Sequence, residues 1–575
     1  MHSPSPLRQL LLELLALALL VAGHLAIQWQ LSGYYFTLKD GTIRWLPIVV
    51  STTPALLFYA AARLILPNIL SMVLVLAADL VLAVINQQKL GRINEVLSWT
   101  DLTETRENIH VVMEFIQPTH FAIVGAALVG LFIAYRLNRR VDNTPGFLIY
   151  KLLVIGFLTP LVFNDHLVNA EVLGKNNAYA TFLKGADLKY RRSEWFQNSR
   201  IQGLVMHVIQ TSARTMPRAV STEELALAEA TRKKPMPPVE RRKKIVVILC
   251  EACWSDKTHF DEAYEPLRKL GFKGMTGVSP SYGGGTANAS FEWQTGLPAN
   301  GVLNGVVYQE YAGVMRKSVD SLAQSLRSDG YQTITAHNYR RKFWHRHEVK
   351  PKLGYDKFIG LEDMNLDGYQ RKRNTWVDDE FLYKNVYSYI DSNEPVFLYL
   401  TTMYTHAPVW HKEGDMGRTD FGTRLEHAVQ RVAEFAEYIR QRHDATIIVY
   451  ADHKPLMTDY FLDSGVFSAD MFFQTGKNDE GYLFREDADQ KIIGSVPVYV
   501  YDKNEATVDA FVKEANGLPF YCQSTLFNKH FVGASVLAQQ FALDKGLCQL
   551  NAQYNYEAMK QPYPSWLYRM SLFEH

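Results

Sequence analysis

The sequence predicts a two-part protein: an N-terminal domain of five membrane-spanning helices, then a C-terminal α/β domain built on a mostly parallel central sheet. Two observations carry this expectation. The long apolar runs of the 575-residue chain lie almost entirely before Asn164. Beyond them, short β-branched runs alternate with polar stretches, as in a soluble α/β sequence. A chain this long exceeds what one hydrophobic core organises. Its formal charge of +1, with no basic tract interleaved with aromatics, argues against nucleic acid as a partner.

The spans are expected at Leu10 to Gln28, Leu46 to Leu66, Ile69 to Ile85, His120 to Ala134 and Leu148 to Phe163, most of them close to the length a bilayer requires. The first is too long, and followed by too many others, to be a cleaved signal peptide. The cluster Arg136, Arg139 and Arg140 between the fourth and fifth spans should stay cytoplasmic. An odd number of spans then puts the C-terminal half outside, facing a periplasm or the cell exterior. Asp79 falls inside the third span, where an ionisable side chain is costly unless it meets a partner or water. A functional role and simple helix packing are both open for it.

Residues 1–164 are thus expected to form the membrane domain, 165–240 an extracytoplasmic connector and 241–575 the catalytic domain. The connector closes on Lys233-Lys234-Pro235-Met236-Pro237-Pro238, whose prolines cannot propagate a helix. Four cysteines are too few for a disulfide framework. Cys522 and Cys548 could form one bridge in an oxidising compartment. Cys250 and Cys253 have the spacing of a zinc or redox pair, but no second pair follows at zinc-site distance, and they are expected to be buried strand-end cysteines.

Three apolar runs end in chemistry-bearing residues. Ile245 to Leu249 precedes Glu251, Val396 to Leu400 leads toward His406, and Thr446 to Tyr450 ends in Asp452 and His453. Open α/β sheets hold their ligands at the carboxyl ends of strands. Singly, each residue would pass for a helix cap or a chance pair; three together point to one edge. Gly283-Gly284-Gly285-Thr286 adds a flexible, amide-rich turn, and a following helix N-terminus would direct its positive end at an anion. Glu251, Asp452 and His453, completed by Thr286, make a ligand set for a divalent cation. Oxygen-rich ligation suits manganese or magnesium and admits zinc. Such an ion would activate the Thr286 hydroxyl and draw charge from a phosphoryl group.

These motifs resemble the lipoteichoic acid synthase-like phosphoglycerol transferases, a membrane-anchored branch of the alkaline phosphatase and sulfatase superfamily. The likeness extends through Phe291-Glu292, Thr295-Gly296-Leu297-Pro298 and the block His337-Asn338-Tyr339-Arg340-Arg341-Lys342-Phe343-Trp344-His345-Arg346-His347-Glu348-Val349. The resemblance implies that His337, Trp344 and Arg346 serve the donor pocket. Arg suits phosphate because its planar fork donates paired hydrogen bonds. His406 would handle a proton or steady the phosphoryl group. Thr286 would attack the phosphate of phosphatidylglycerol and pass phosphoglycerol to a glycolipid or surface glycan. The expected location is a bacterial cytoplasmic (inner) membrane, with several crossings.

Two features depart from the family pattern. Ser290 stands where relatives commonly carry Glu, and the stretch from about Asn504 to Gln549 lacks the usual ending. Phosphoethanolamine transfer is the nearest alternative reaction, and a catalytically silent lipid- or glycan-binding envelope component is the alternative of another kind.

Overall fold

A computed structural model describes the chain from Pro6 to Phe573, apart from residues 33–42, 94–95, 104–124, 126–128, 131, 134–144, 175, 187, 189, 191–194, 214–215, 300–301, 304, 371–375, 407–414, 475–481, 486–487 and 550–562. It divides into two compact units. One comprises Met1–Thr215 with Phe472–Arg485, and the other Met216–Met471 with Glu486–His575.

In the first unit, three helices are long and apolar enough to cross a bilayer: Leu10–Leu31, Trp45–Ala62 and Asn68–Leu90. They correspond to the first three expected spans. The fifth is a shorter apolar helix, Gly146–Val162. The fourth, and the arginine cluster after it, fall largely outside the described residues. Charges buried among these helices are paired, as a low-dielectric interior demands. Asp79 lies 2.7 Å from His24 Nδ1 and accepts a hydrogen bond from Gln28 Nε2. Glu13 accepts from Arg63 and from the Tyr59 hydroxyl. Asp79 therefore joins the first helix to the third. A small hairpin, Phe472–Gln474 with Tyr482–Phe484, is also counted with this unit.

The second unit is built on an eight-stranded mixed, mostly parallel sheet. In chain order the strands are β1 (Lys244–Cys250), β2 (Lys273–Val278), β3 (Gln332–His337), β4 (Lys357–Ile359), β5 (Val396–Thr401), β6 (Ala445–Ala451), β7 (Ser495–Tyr501) and β8 (Leu518–Pro519). Across the sheet they run β8-β2-β7-β6-β1-β5-β3-β4. Only β7 is antiparallel to its neighbours β2 and β6. The central strands β1, β5 and β6 are buried at every position, which explains their continuous apolar runs.

Register turns these strands into a site. Leu249 pairs with Thr401 and with Tyr450, and Cys250 with Ala451. Glu251, Thr402 and Asp452 consequently leave the sheet at one level, at the carboxyl ends of three adjacent parallel strands.

The cysteines form two disulfides, Cys250–Cys253 and Cys522–Cys548. The first corrects the expectation of unpaired strand-end cysteines. Ala252 adopts a left-handed conformation, φ 47°, and this tight turn after β1 brings the two Cα atoms to 5.4 Å, within bridging range.

Candidate active site

Glu251 follows β1 and is held from both sides. Its amide donates to the Thr402 hydroxyl at 3.0 Å, and its carbonyl accepts from Thr405. Asp452 follows β6, and its Oδ1 accepts from the amides of Ala252 (2.7 Å) and His453 (3.0 Å). The two strand-end loops thus brace each other. Ligand atoms of Glu251, Asp452 and His453 cluster within 4.8 Å of one another, and all three residues are buried.

The third element is the glycine turn. Gly283 and Gly285 have φ of 67° and 80°, a region that glycine enters without steric cost. A Cβ on Gly285 would also approach Ser281 Oγ to 2.8 Å. The Gly283 amide donates to the carbonyl of Lys454, next to His453. The turn delivers Thr286 to the first position of helix Thr286–Thr295, where the amides are free of intrahelical partners. There Thr286 Oγ1 donates to Glu251 Oε2 at 2.9 Å.

The protonation pattern bears on what these groups hold. His453 Nδ1 lies 2.9 Å from the Lys454 carbonyl, which assigns the proton to that nitrogen. Its Nε2 therefore faces Glu251 Oε1 and Asp452 Oδ2, each at 3.3 Å. Both Nε2 and Asp452 Oδ2 are buried without a hydrogen-bond partner among the described residues. Burial, reinforced by the Glu251 charge, pushes the Asp452 carboxyl up to about 7. Burial alone would lower His453, yet Asp452 and Glu251 raise it to about 9. With no metal, protons held on His453 and Asp452 offset the convergence of two carboxylates, and a divalent cation would displace those protons and leave the neutral His453 Nε2 as a ligand. The residues present fit a divalent ion of the O/N-ligated class.

The cleft above is lined by Glu251, Gly283, Gly284, His406, His453 and Leu456, among others. It brings together five of the residues expected from sequence, since Thr286 and Asp452 adjoin it through the contacts above. His337, Trp344 and Arg346 are not in its lining. His337 ends β3, buried, with Nδ1 against the Thr401 carbonyl at 2.9 Å. Burial, with help from Arg346, pushes its pKa well down, so it stays neutral. Trp344 and His345 are both left-handed, φ 52° and 50°, and such strain in bulky residues concentrates at functional sites. It folds the chain so that the buried Arg346 guanidinium stacks on Trp344, 4.7 Å from the ring centre. Sequence reasoning missed Trp376, whose Nε1 donates to the His406 carbonyl at 3.0 Å, and Asp379. Neither carries a local sequence signal.

The Sulfatase family model matches residues 243–484. The "Putative cyclic beta-1,2-glucan modification protein" of Rhizobium meliloti is 28% identical over 259 residues, 40% of this chain and 39% of that protein. Lipoteichoic acid synthase 2 of Bacillus subtilis is 27% identical over 189 residues, 30% of this chain and 27% of that protein. The chain thus matches well under half the length of either curated relative. The solved Streptococcus pyogenes phosphoglycerol transferase GacH, in complex with sn-glycerol-1-phosphate, aligns at TM-score 0.41 and 19% identity, covering 62% of this chain and 94% of that one.

Proposed function

The Sulfatase family model matches residues 243–484, and from that premise we propose that the chain is a metal-dependent transferase. It moves phosphoglycerol from a phosphatidylglycerol-type lipid to a glycan or glycolipid. One observation carries the reading: the Thr286 hydroxyl stands at a glycine-turn helix N-terminus and donates to Glu251, itself a member of a buried triad whose ligand atoms could hold a cation.

The chemistry runs as two displacements. The Thr286 oxygen forms a bond to phosphorus as the bond to the diacylglycerol oxygen breaks, and the proton ends on that leaving oxygen. An acceptor hydroxyl then bonds to phosphorus, Thr286 leaves and is reprotonated. Helix amides at the Thr286 end are oriented toward the phosphoryl oxygens, and His406, half-buried in the cleft lining, is suited to the proton transfers. A bound divalent ion, manganese being our choice, would neutralise charge on the phosphate and on the Thr286 oxygen. Arg346, braced on Trp344, is assigned to the donor headgroup.

A glycan acceptor is supported by the glucan-modification relative, and a lipid donor by the three apolar helices. Two disulfides support an oxidising compartment for the domain, outside the cytoplasm. The test incubates the full-length protein with labelled phosphatidylglycerol or phosphatidylethanolamine and Mn2+. It follows diacylglycerol release and added mass on the Thr286 peptide. Turnover of the ethanolamine lipid alone would reassign the donor, and turnover of neither lipid would refute the transferase.

A further inference from the structure

His406 lies at the end of a short loop after β5, and its place depends on a segment nothing above assigns. We propose that Asp379 and Trp376 are positioning residues that hold His406 over the cleft and tie its loop to the block containing Trp344 and Arg346. This rests on the reading of His406 as a group facing the reacting phosphate.

The segment from Trp376 to Asp379 bridges two strand ends. Asp379 Oδ1 accepts from the Met403 amide at 2.9 Å and from Asn338 Nδ2 at 2.8 Å. Asn338 Nδ2 also donates to the Val377 carbonyl at 2.9 Å. Met403 begins the loop to His406, and its carbonyl accepts from the His406 amide at 3.1 Å. Asn338 directly follows β3 and opens the block leading to Trp344. One carboxylate oxygen therefore fastens both loops. Trp376 adds a second fastening: its indole N–H donates to the His406 carbonyl at 3.0 Å, and its ring meets the imidazole edge-on at 5.3 Å.

Asp379 is fully buried. Burial is the main cause of a carboxyl pushed up to about 7, against the lowering effect of the Met403 and Asn338 bonds. A surface cap would not need such an arrangement. A carboxyl kept here despite its desolvation cost holds two loops that apolar packing alone would leave free to slide. Asn reproduces the accepting oxygen of Asp379; Ala does not.

The test uses the full-length protein and the rate at which Thr286 acquires mass from the labelled lipid. D379A is expected to slow that step about 10-fold or more, since small misplacements of catalytic groups cost rates of this order. D379N should regain most of it. In an H406A background, D379A should add little further loss, because residues acting through one another are not additive. A full multiplicative loss in that background would overturn the proposal. A second readout is independent of the donor: the His406 imidazole resonance, assigned by its disappearance in H406A, should shift in D379A and W376F and return in D379N. If D379A does not fold, W376F, which keeps an aromatic ring but removes the N–H donor and part of the ring, decides alone. An unmoved resonance in a folded variant sinks the idea. A wild-type protein inactive on both lipids would refute the proposed function, while the resonance would still judge Asp379 and Trp376.

Discussion

Thr286 Oγ1 donates its proton to Glu251 Oε2 across 2.9 Å. The hydroxyl is therefore aimed at the acidic cluster before any substrate arrives. T286A should lower transfer on the order of 10³-fold or more, as loss of a nucleophile does elsewhere. T286S should retain measurable turnover. Calorimetric titration of Mn2+ into T286A should still register binding, separating nucleophile from ligand set.

Asp452 stands between the Glu251 carboxylate, which raises it, and His453, and gives a prediction with two signs. D452N removes charge repulsion with Glu251, so the metal-free variant should melt no lower than the metal-free wild type. Mn2+ at 100 times its Kd should stabilise the wild type by about 2.7 kcal/mol. The same addition should leave D452N nearly unmoved. Thermal melts with and without chelator check both halves.

Glu292 is buried on the Thr286 helix, and burial raises its carboxyl to about 8. Its Oε1 accepts from the Ala299 amide at 2.9 Å, and the amides of Ala299 and Tyr521 only partly offset the burial. A raised acid binds more protons folded than unfolded, so its contribution is fully present below the unfolded value near 4.5 and is lost as pH rises through about 8. E292Q keeps the amide contact and removes the ionisation. It should flatten the fall in stability between pH 5 and pH 8, where each unit of pKa difference corresponds to about 1.4 kcal/mol. Denaturant melts across that range read the slope directly.

Arg242, just before β1, donates to Asp502 Oδ1 at 2.9 Å beyond β7, and Asp502 Oδ2 also accepts from Thr446 of β6 at 2.6 Å. These bonds, offsetting burial, hold Asp502 below its ordinary range. The stabilisation is present above the unfolded carboxylate value and is lost as pH falls through the folded one. R242M leaves a buried carboxylate unpaired and should cost about 3 kcal/mol at neutral pH. The deficit should shrink in acid, as equilibrium unfolding would record.

Much of the site was legible because its signals are local. Ile245 to Leu249 and Thr446 to Tyr450 announce buried strands, and a polar residue directly after each must emerge at the sheet edge. Three glycines before Thr286 announce a turn that only glycine accommodates easily. The structure moved those strand limits by a residue at each end. What was not legible depends on chain return. Ser495 to Tyr501 alternates well enough for a strand, but its antiparallel direction follows from where the preceding segment leaves it. Asp379 and Asn338 are 41 residues apart, and neither implies the other. The Cys250–Cys253 bridge needed the left-handed Ala252, which alanine composition does not suggest. Among the apolar N-terminal helices, length separates three strong signals from the shorter Gly146–Val162 run.

The order of strands in the sheet has a temporal consequence. Strand β2, which leads into the glycine turn, is flanked by β7 and β8, both encoded more than 200 residues later. Helix Phe520–Phe527 then packs on the Thr286 helix, with Ser524 donating to the Trp293 carbonyl. A chain emerging from its N-terminus cannot seat Thr286 until that distant stretch is available. During synthesis the Thr286 hydroxyl thus lacks its finished surroundings, and the group transfer proposed for it would have to wait until nearly the whole domain has arrived.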